Sequence, residues 1–232
     1  MSTDPKILGV GLAVVGGIIP SFLWLWFWLQ EDKKKPEPTG LLAACFLAGI
    51  ISVALILPLE KIIKTYVANT EWQIIGWAGV EEMIKYLAVL LVLYKTAHTD
   101  QPIDWPIYFI TTALGFAAIE NIMFLIKPFS LNQAVVGLLT GQLRFLGATL
   151  LHTVASGIVG IAYGLSMNTG RWKRKIYVLI GLACAIALHS AFNFFIMDDS
   201  SENIIKIFGF LWVVTIIIML LFEKLRRMSG EN

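Results

Sequence analysis

The chain has 232 residues, 57% hydrophobic and only 15% charged, with a mean hydropathy of +0.76. A soluble domain carries about 25% charged residues, so this composition excludes a water-soluble globular enzyme. It reads as a single all-α membrane domain over residues 1–232, a polytopic helical bundle in the cell membrane. The net charge of +2 is uninformative in sum. The lipid bilayer is the expected surrounding, and no nucleic-acid partner is expected.

The N-terminus, Met1-Ser2-Thr3-Asp4-Pro5, is no signal peptide, because a full-length apolar span follows it with no small-residue cleavage site. A crossing needs roughly 20 apolar residues. Seven runs meet that length, at about 7–29, 40–59, 72–94, 105–126, 143–167, 176–197 and 204–222. The stretch 131–141 is apolar but too short to cross, and 131–167 is too short for two crossings and a turn. It reads as an interfacial or re-entrant segment. Glu31-Asp32-Lys33-Lys34-Lys35-Pro36-Glu37-Pro38 is a charged linker between the first two spans.

Lysine and arginine set orientation. With the N-terminus outside, the cytoplasmic segments hold eleven such residues and the outer segments five, which predicts N-out, C-in. The acidic loop Asp198-Asp199-Ser200-Ser201-Glu202 then falls outside. Trp24, Trp26 and Trp28, with Trp72 and Trp105, are expected at span ends as an aromatic belt. Cys45 and Cys184 lie in apolar runs and read as inert core residues rather than a disulfide or metal pair.

Ionisable side chains within spans are expensive and mark function. Glu81 and Lys85 are four apart and share a helix face, with Glu82 rotated away. Two adjacent carboxylates in low dielectric do not both ionise cheaply, which separates a base from an acid. An ion pair gluing two helices would explain Glu81 and Lys85 but not the second glutamate. Glu120 follows Phe116 by four residues, with Asn121 beside it, and Arg144 at the start of the next span is a candidate partner for Glu120. His152 stands among glycines, of which Gly160 and Gly164 have the spacing that lets helix backbones approach. His189 and Asn193 again share a face, either as an interhelical hydrogen-bond pair or as a proton relay with an amide for an oxyanion. Glu81, Glu82, Glu120, His152, His189 and Asn193 fall in one layer, about 6–15 Å below the outer ends of their spans at 1.5 Å per residue. His98 lies in a cytoplasmic loop and has no place in that layer.

This ordered set, Glu81-Glu82-x-x-Lys85, Phe116-x-x-x-Glu120, a histidine span, and His189-x-x-x-Asn193, resembles the PrsW-type intramembrane proteases. The Pro36-Glu37-Pro38 turn is similar to theirs, and the resemblance covers about residues 20–197. The wider relatives are the CAAX prenyl endopeptidases and the bacteriocin-processing and self-immunity proteins. Those have an arginine one residue beyond the position of Lys85 and a histidine where Glu120 stands, so both departures favour the PrsW branch. The resemblance implies that Glu81, Glu82, His152 and His189 are catalytic, supported by Lys85, Glu120 and Asn193. It also implies a first cut in a membrane-anchored, single-span anti-sigma factor during stress signalling.

Two mechanisms stay open on the residues. In one, Glu81 or Glu82 takes a proton from water, His152 orients it, and His189 and Asn193 hold the oxyanion. In the other, zinc is held by Glu82, His152 and His189, although no His-Glu-x-x-His pattern marks it. No cofactor is required by the first. A proton-coupled transporter is the competing class, but the chain has no internal repeat or broken span to suggest one.

Overall fold

The computed structural model describes residues 5–131, 133–197 and 201–229. Among these the chain is all-helical, in seven continuous runs. They are α1 (Pro5–Leu29), α2 (Thr39–Tyr66), α3 (Thr70–Val92), α4 (Asp104–Ser130), α5 (Ala134–Leu143) running through a π-helical turn (Arg144–Ala148) into α6 (Thr149–Ser166), α7 (Arg171–Ile196) and α8 (Ser201–Met228). Six runs are long and apolar enough to cross a membrane. The run that differs is α3, whose 23 residues carry Glu81, Glu82 and Lys85 near the middle. Asn69 caps its start by accepting from Trp72 N–H at 3.0 Å, which satisfies one orphan donor of the first turn.

The bundle is built around α4, which packs against α1, α2 and α6, while α6 also meets α7 and α8. Burial follows that order: α4 and α6 are mostly enclosed, and α2 and α8 mostly face outward. Small residues set the approach. A Cβ at Gly49 would stand 1.9 Å from Thr112 O, and one at Gly115 would stand 2.0 Å from Phe46 O, so α2 and α4 touch backbone to backbone. The expected role of Gly160 and Gly164 holds as well, against Pro106 in the first turn of α4 and Pro102 just before it.

Three expectations need correction. The stretch 131–141 is no separate interfacial piece, since from Ala134 it is continuous with the next span in one 33-residue helical run. The π turn absorbs one offset residue there, and Trp24 Nε1 donates to the carbonyl of Phe145 within it at 3.1 Å. The tryptophans are not a uniform belt. Trp26 and Trp72 face outward, but Trp24 and Trp28 are buried, Trp28 against Phe222 at 5.0 Å, and Trp105 stacks on Tyr163 at 4.3 Å. The cysteines are both free, and Cys45 is buried, whereas Cys184 lies on the exterior. Residues 198–200 of the acidic loop lie outside the described residues.

Candidate functional site

The C-terminal ends of α2, α4 and α7, the first half of α3, and the π turn with the start of α6 enclose a cleft of about 770 Å³. Glu81 and His152 line its floor, and Glu82, Lys85 and His189 are packed against them. Glu81, Glu82, Lys85, His152 and His189 are each at most 5% exposed. The structure brings all five together, from three different helices.

Lys85 is the hub. Its ammonium lies 2.8 Å from Glu82 Oε1, 3.5 Å from Glu81 Oε2 and 2.9 Å from His152 Nδ1, over the Phe116 ring at 4.1 Å. The shorter bond is therefore to Glu82, three residues away, and not to Glu81 on the expected shared face. An ammonium can only donate, so His152 Nδ1 is the accepting nitrogen and the ring proton sits on Nε2. That Nε2–H donates to Glu120 Oε2 at 2.7 Å. His189 is oriented the other way round, with Nδ1–H donating to Glu82 Oε1 at 2.9 Å. The two rings meet edge to face at 4.9 Å.

The supporting residues form a second chain of bonds. Arg144 donates through Nη2 to Glu120 Oε2 at 2.7 Å and through Nε to Asn121 Oδ1 at 2.6 Å. Asn121 in turn donates to Thr149 Oγ1 at 2.9 Å. One oxygen of Glu120 thus serves both Arg144 and His152, so the two readings of Glu120 are both realised. Asn193 lines the cleft one turn beyond His189, and its amide makes no hydrogen bond among the described residues.

The two adjacent glutamates differ sharply. Glu82 is engaged at both oxygens, with Oε1 accepting from Lys85 and His189, and Oε2 accepting from Ser156 Oγ at 2.9 Å. Glu81 Oε2 is buried without a hydrogen-bond partner, 4.0 Å from His152 Nδ1 and 3.8 Å from His189 Nε2. Glu81, His152 and His189 can each turn one ligand atom to a common point, all within 4.8 Å of one another. A carboxylate oxygen with no hydrogen bond, beside the open His189 Nε2 and the His152 Nδ1 that accepts from Lys85, suits an N/O-ligated divalent ion once that ammonium turns aside. The outer nitrogens of both histidines are held by carboxylates, Glu120 and Glu82, as metal-ligating imidazoles usually are. The charge agrees, because four carboxylates, Glu60, Glu81, Glu82 and Glu120, stand with only two cations, Lys85 and Arg144. The group contains Glu81 where the sequence reading for zinc had Glu82.

A sequence profile described as PrsW family intramembrane metalloprotease matches residues 37–222. The chain belongs to the PrsW family. It is accordingly a peptidase and a multi-pass membrane protein. Among curated proteins it is similar to Protease PrsW of Clostridioides difficile, 27% identical over 209 residues and 86% of each chain. It is also similar to Protease PrsW of Bacillus subtilis, 24% identical over 204 residues, 86% of this chain and 90% of that one. Protease PrsW of Geobacillus kaustophilus is 24% identical over 190 residues, 79% of each chain. No solved structure matches.

Three site residues escaped the sequence reading. Ser156 and Thr149 sit four and three residues from His152, on its own helix face, so the 3.6-residue period would have found them. Glu60 lines the cleft and stands beside Glu81. It was missed because the second span was ended at residue 59, whereas α2 continues to Tyr66. His98 is exposed in a loop, as expected.

Proposed function

We propose that the protein cuts a single-span membrane protein near the outer face of the bilayer, as the first cleavage of an anti-sigma factor in stress signalling. In this reading α3 is the seventh span and the orientation is N-out, C-in, supported by the excess of lysine and arginine on the other side. The observation that carries the assignment is Glu81 Oε2, buried without a hydrogen bond and within 4.0 Å of a ring nitrogen of each of two histidines, at the floor of an open cleft.

Glu81, His152 and His189 would hold a metal ion such as zinc. Bound there, it would supply Lewis-acid chemistry, polarising a peptide carbonyl and acidifying water. Glu82 is a positioning residue, because its Oε1 aims His189 and neutralises Lys85 while its Oε2 is held by Ser156. Glu120 does the same for His152, steadied by Arg144. Asn193, with a free amide on the cleft wall, is placed to donate to the oxyanion of a tetrahedral intermediate. Phe116 and the apolar walls keep bulk water from the charged floor, which strengthens each of these interactions.

The test is cleavage of a single-span substrate by protein reconstituted in vesicles, with bound zinc measured on the same preparation. Cleavage outside the substrate's span, lost on chelation and with Glu81→Gln, is the expected result. Wild-type cleavage by Glu81→Gln would sink the assignment. Orientation is tested in a Cys45→Ser, Cys184→Ser background. A membrane-impermeant maleimide added outside intact cells should label Met197→Cys and not Lys173→Cys. The reverse pattern would invert the topology and move the cut to the cytoplasmic side.

A further inference from the structure

We propose that Lys61 and Lys64 make the cleft selective for substrates whose outer juxtamembrane segment carries acidic side chains. This rests on the function proposed above and concerns the mouth of the cleft rather than its floor. The walls between mouth and floor are apolar, from Ile56, Leu57, Phe124 and Ile196 among others, and suit the end of a transmembrane segment. At the mouth the chemistry changes. Lys61 and Lys64 are three apart on α2, so they share a face, and both line the cleft and are exposed.

Neither lysine has an acidic partner among the described residues. The acid best placed to neutralise Lys64 is Glu60, one turn earlier on α2, but Glu60 stands beside Glu81 in the catalytic cluster. Two cations thus face the passage with their natural counter-charge turned away. Lysines at a bilayer boundary ordinarily snorkel outward to lipid phosphate. These two line the inner wall of a passage, where a carboxylate on a bound peptide is the complementary group.

The spacing sets where that carboxylate falls. Lys64 lies about 6 Å beyond Glu60 along the helix axis, at 1.5 Å per residue. An extended peptide advances roughly 3.3 Å per residue, so an acidic residue about two to four positions outward of the cut would reach the pair.

The test uses single-span peptides that share one apolar segment and differ only in that flank: acidic, amide or lysine. Wild type and the Lys61→Glu, Lys64→Glu double variant are compared by kcat/KM in phosphatidylcholine vesicles, with and without phosphatidylglycerol. Wild type should prefer the acidic over the lysine flank by about tenfold, the combined scale of two exposed ion pairs. The double variant should reverse that order, with the amide flank intermediate for both enzymes. The same order in both enzymes, or none, overturns the inference. So does a double variant that slows every peptide alike, most in vesicles containing phosphatidylglycerol, which would give the lysines to lipid phosphate. Failure of wild type to cut any peptide would overturn the proposed function, and this inference with it.

Discussion

Two buried polar clusters sit toward opposite ends of α4, about 18 Å apart along its axis at 1.5 Å per residue. The one at the start of α4 is made of acids. Tyr108 donates to Glu37, Gln101 N–H donates to Asp104 at 2.7 Å, Lys35 pairs with Asp100 at the surface, and Asp32 is buried nearby. The one near its other end has as many acids but adds two imidazoles, and there Glu81, His152 and His189 bring one ligand atom each to within 4.8 Å of one another. Buried charge alone therefore does not mark chemistry. The first cluster fastens the linker before α2 to the head of α4, whereas the second gathers a carboxylate and two imidazoles around one point on the floor of a cleft.

The sharpest way to break that contrast is to remove the three converging groups. Glu81→Gln, His152→Ala and His189→Ala should each lower proteolysis at least ~100-fold, the scale of a lost acid–base group, and each should lose stoichiometric zinc. His98→Ala should do neither. Equal, mild effects at all four positions, measured by cleavage and metal content, would show that the site has no special content.

A smaller effect on activity and a larger one on stability should follow from Glu82, the more heavily bonded glutamate. Glu82→Gln weakens the aim of His189, an effect of about 10–100-fold when an outer-shell partner is lost. It also leaves Lys85 buried without a charged partner at 2.8 Å, and breaking a buried pair costs about 3–5 kcal/mol. Ser156→Ala removes one hydrogen bond to the same carboxylate and should cost about 1 kcal/mol, with a several-fold loss of rate. If Glu81→Gln destabilised the protein more than Glu82→Gln in thermal unfolding, the roles of the two glutamates would have to be exchanged.

Much of this arrangement was legible in the sequence, for a physical reason. In a bilayer every charged residue within a span is conspicuous, so Glu81, Glu82, Lys85, Glu120, His152 and His189 stood out against apolar runs, and helical rise alone put them at one depth. What could not be read was rotation about each helix axis. The spacing put Lys85 on the face of Glu81, yet packing turns its ammonium nearer Glu82, and only the partners on α6 and α7 reveal which glutamate is spent. Glu60 was lost to a helix end misplaced by seven residues, because Lys61 and Lys64 look like a boundary in sequence while their helix runs on. Trp24 and Trp28 were read as belt residues from position along the span, and position does not say which side of a helix faces lipid.

The smallest expected effect belongs to the acid-built cluster, where a pH dependence separates fastening from chemistry. Burial is the main influence on Glu37, and it raises the carboxyl above its usual range despite the Tyr108 hydroxyl and Asp104 beside it. A carboxyl raised in the folded state favours folding most when protonated. Its contribution is fully present below the unfolded value, about 4.3, and declines as pH rises through the folded one. Glu37→Gln keeps an oxygen to accept from Tyr108 but cannot ionise. The variant should therefore melt above wild type at neutral pH by a few degrees, about the shift that 1 kcal/mol produces in a chain of this size. That gap should close as pH falls toward 4, while cleavage at neutral pH stays within about twofold of wild type. A gap that does not change with pH, or a loss of cleavage as deep as that of Glu82→Gln, would mean that the two clusters do not divide the work in this way.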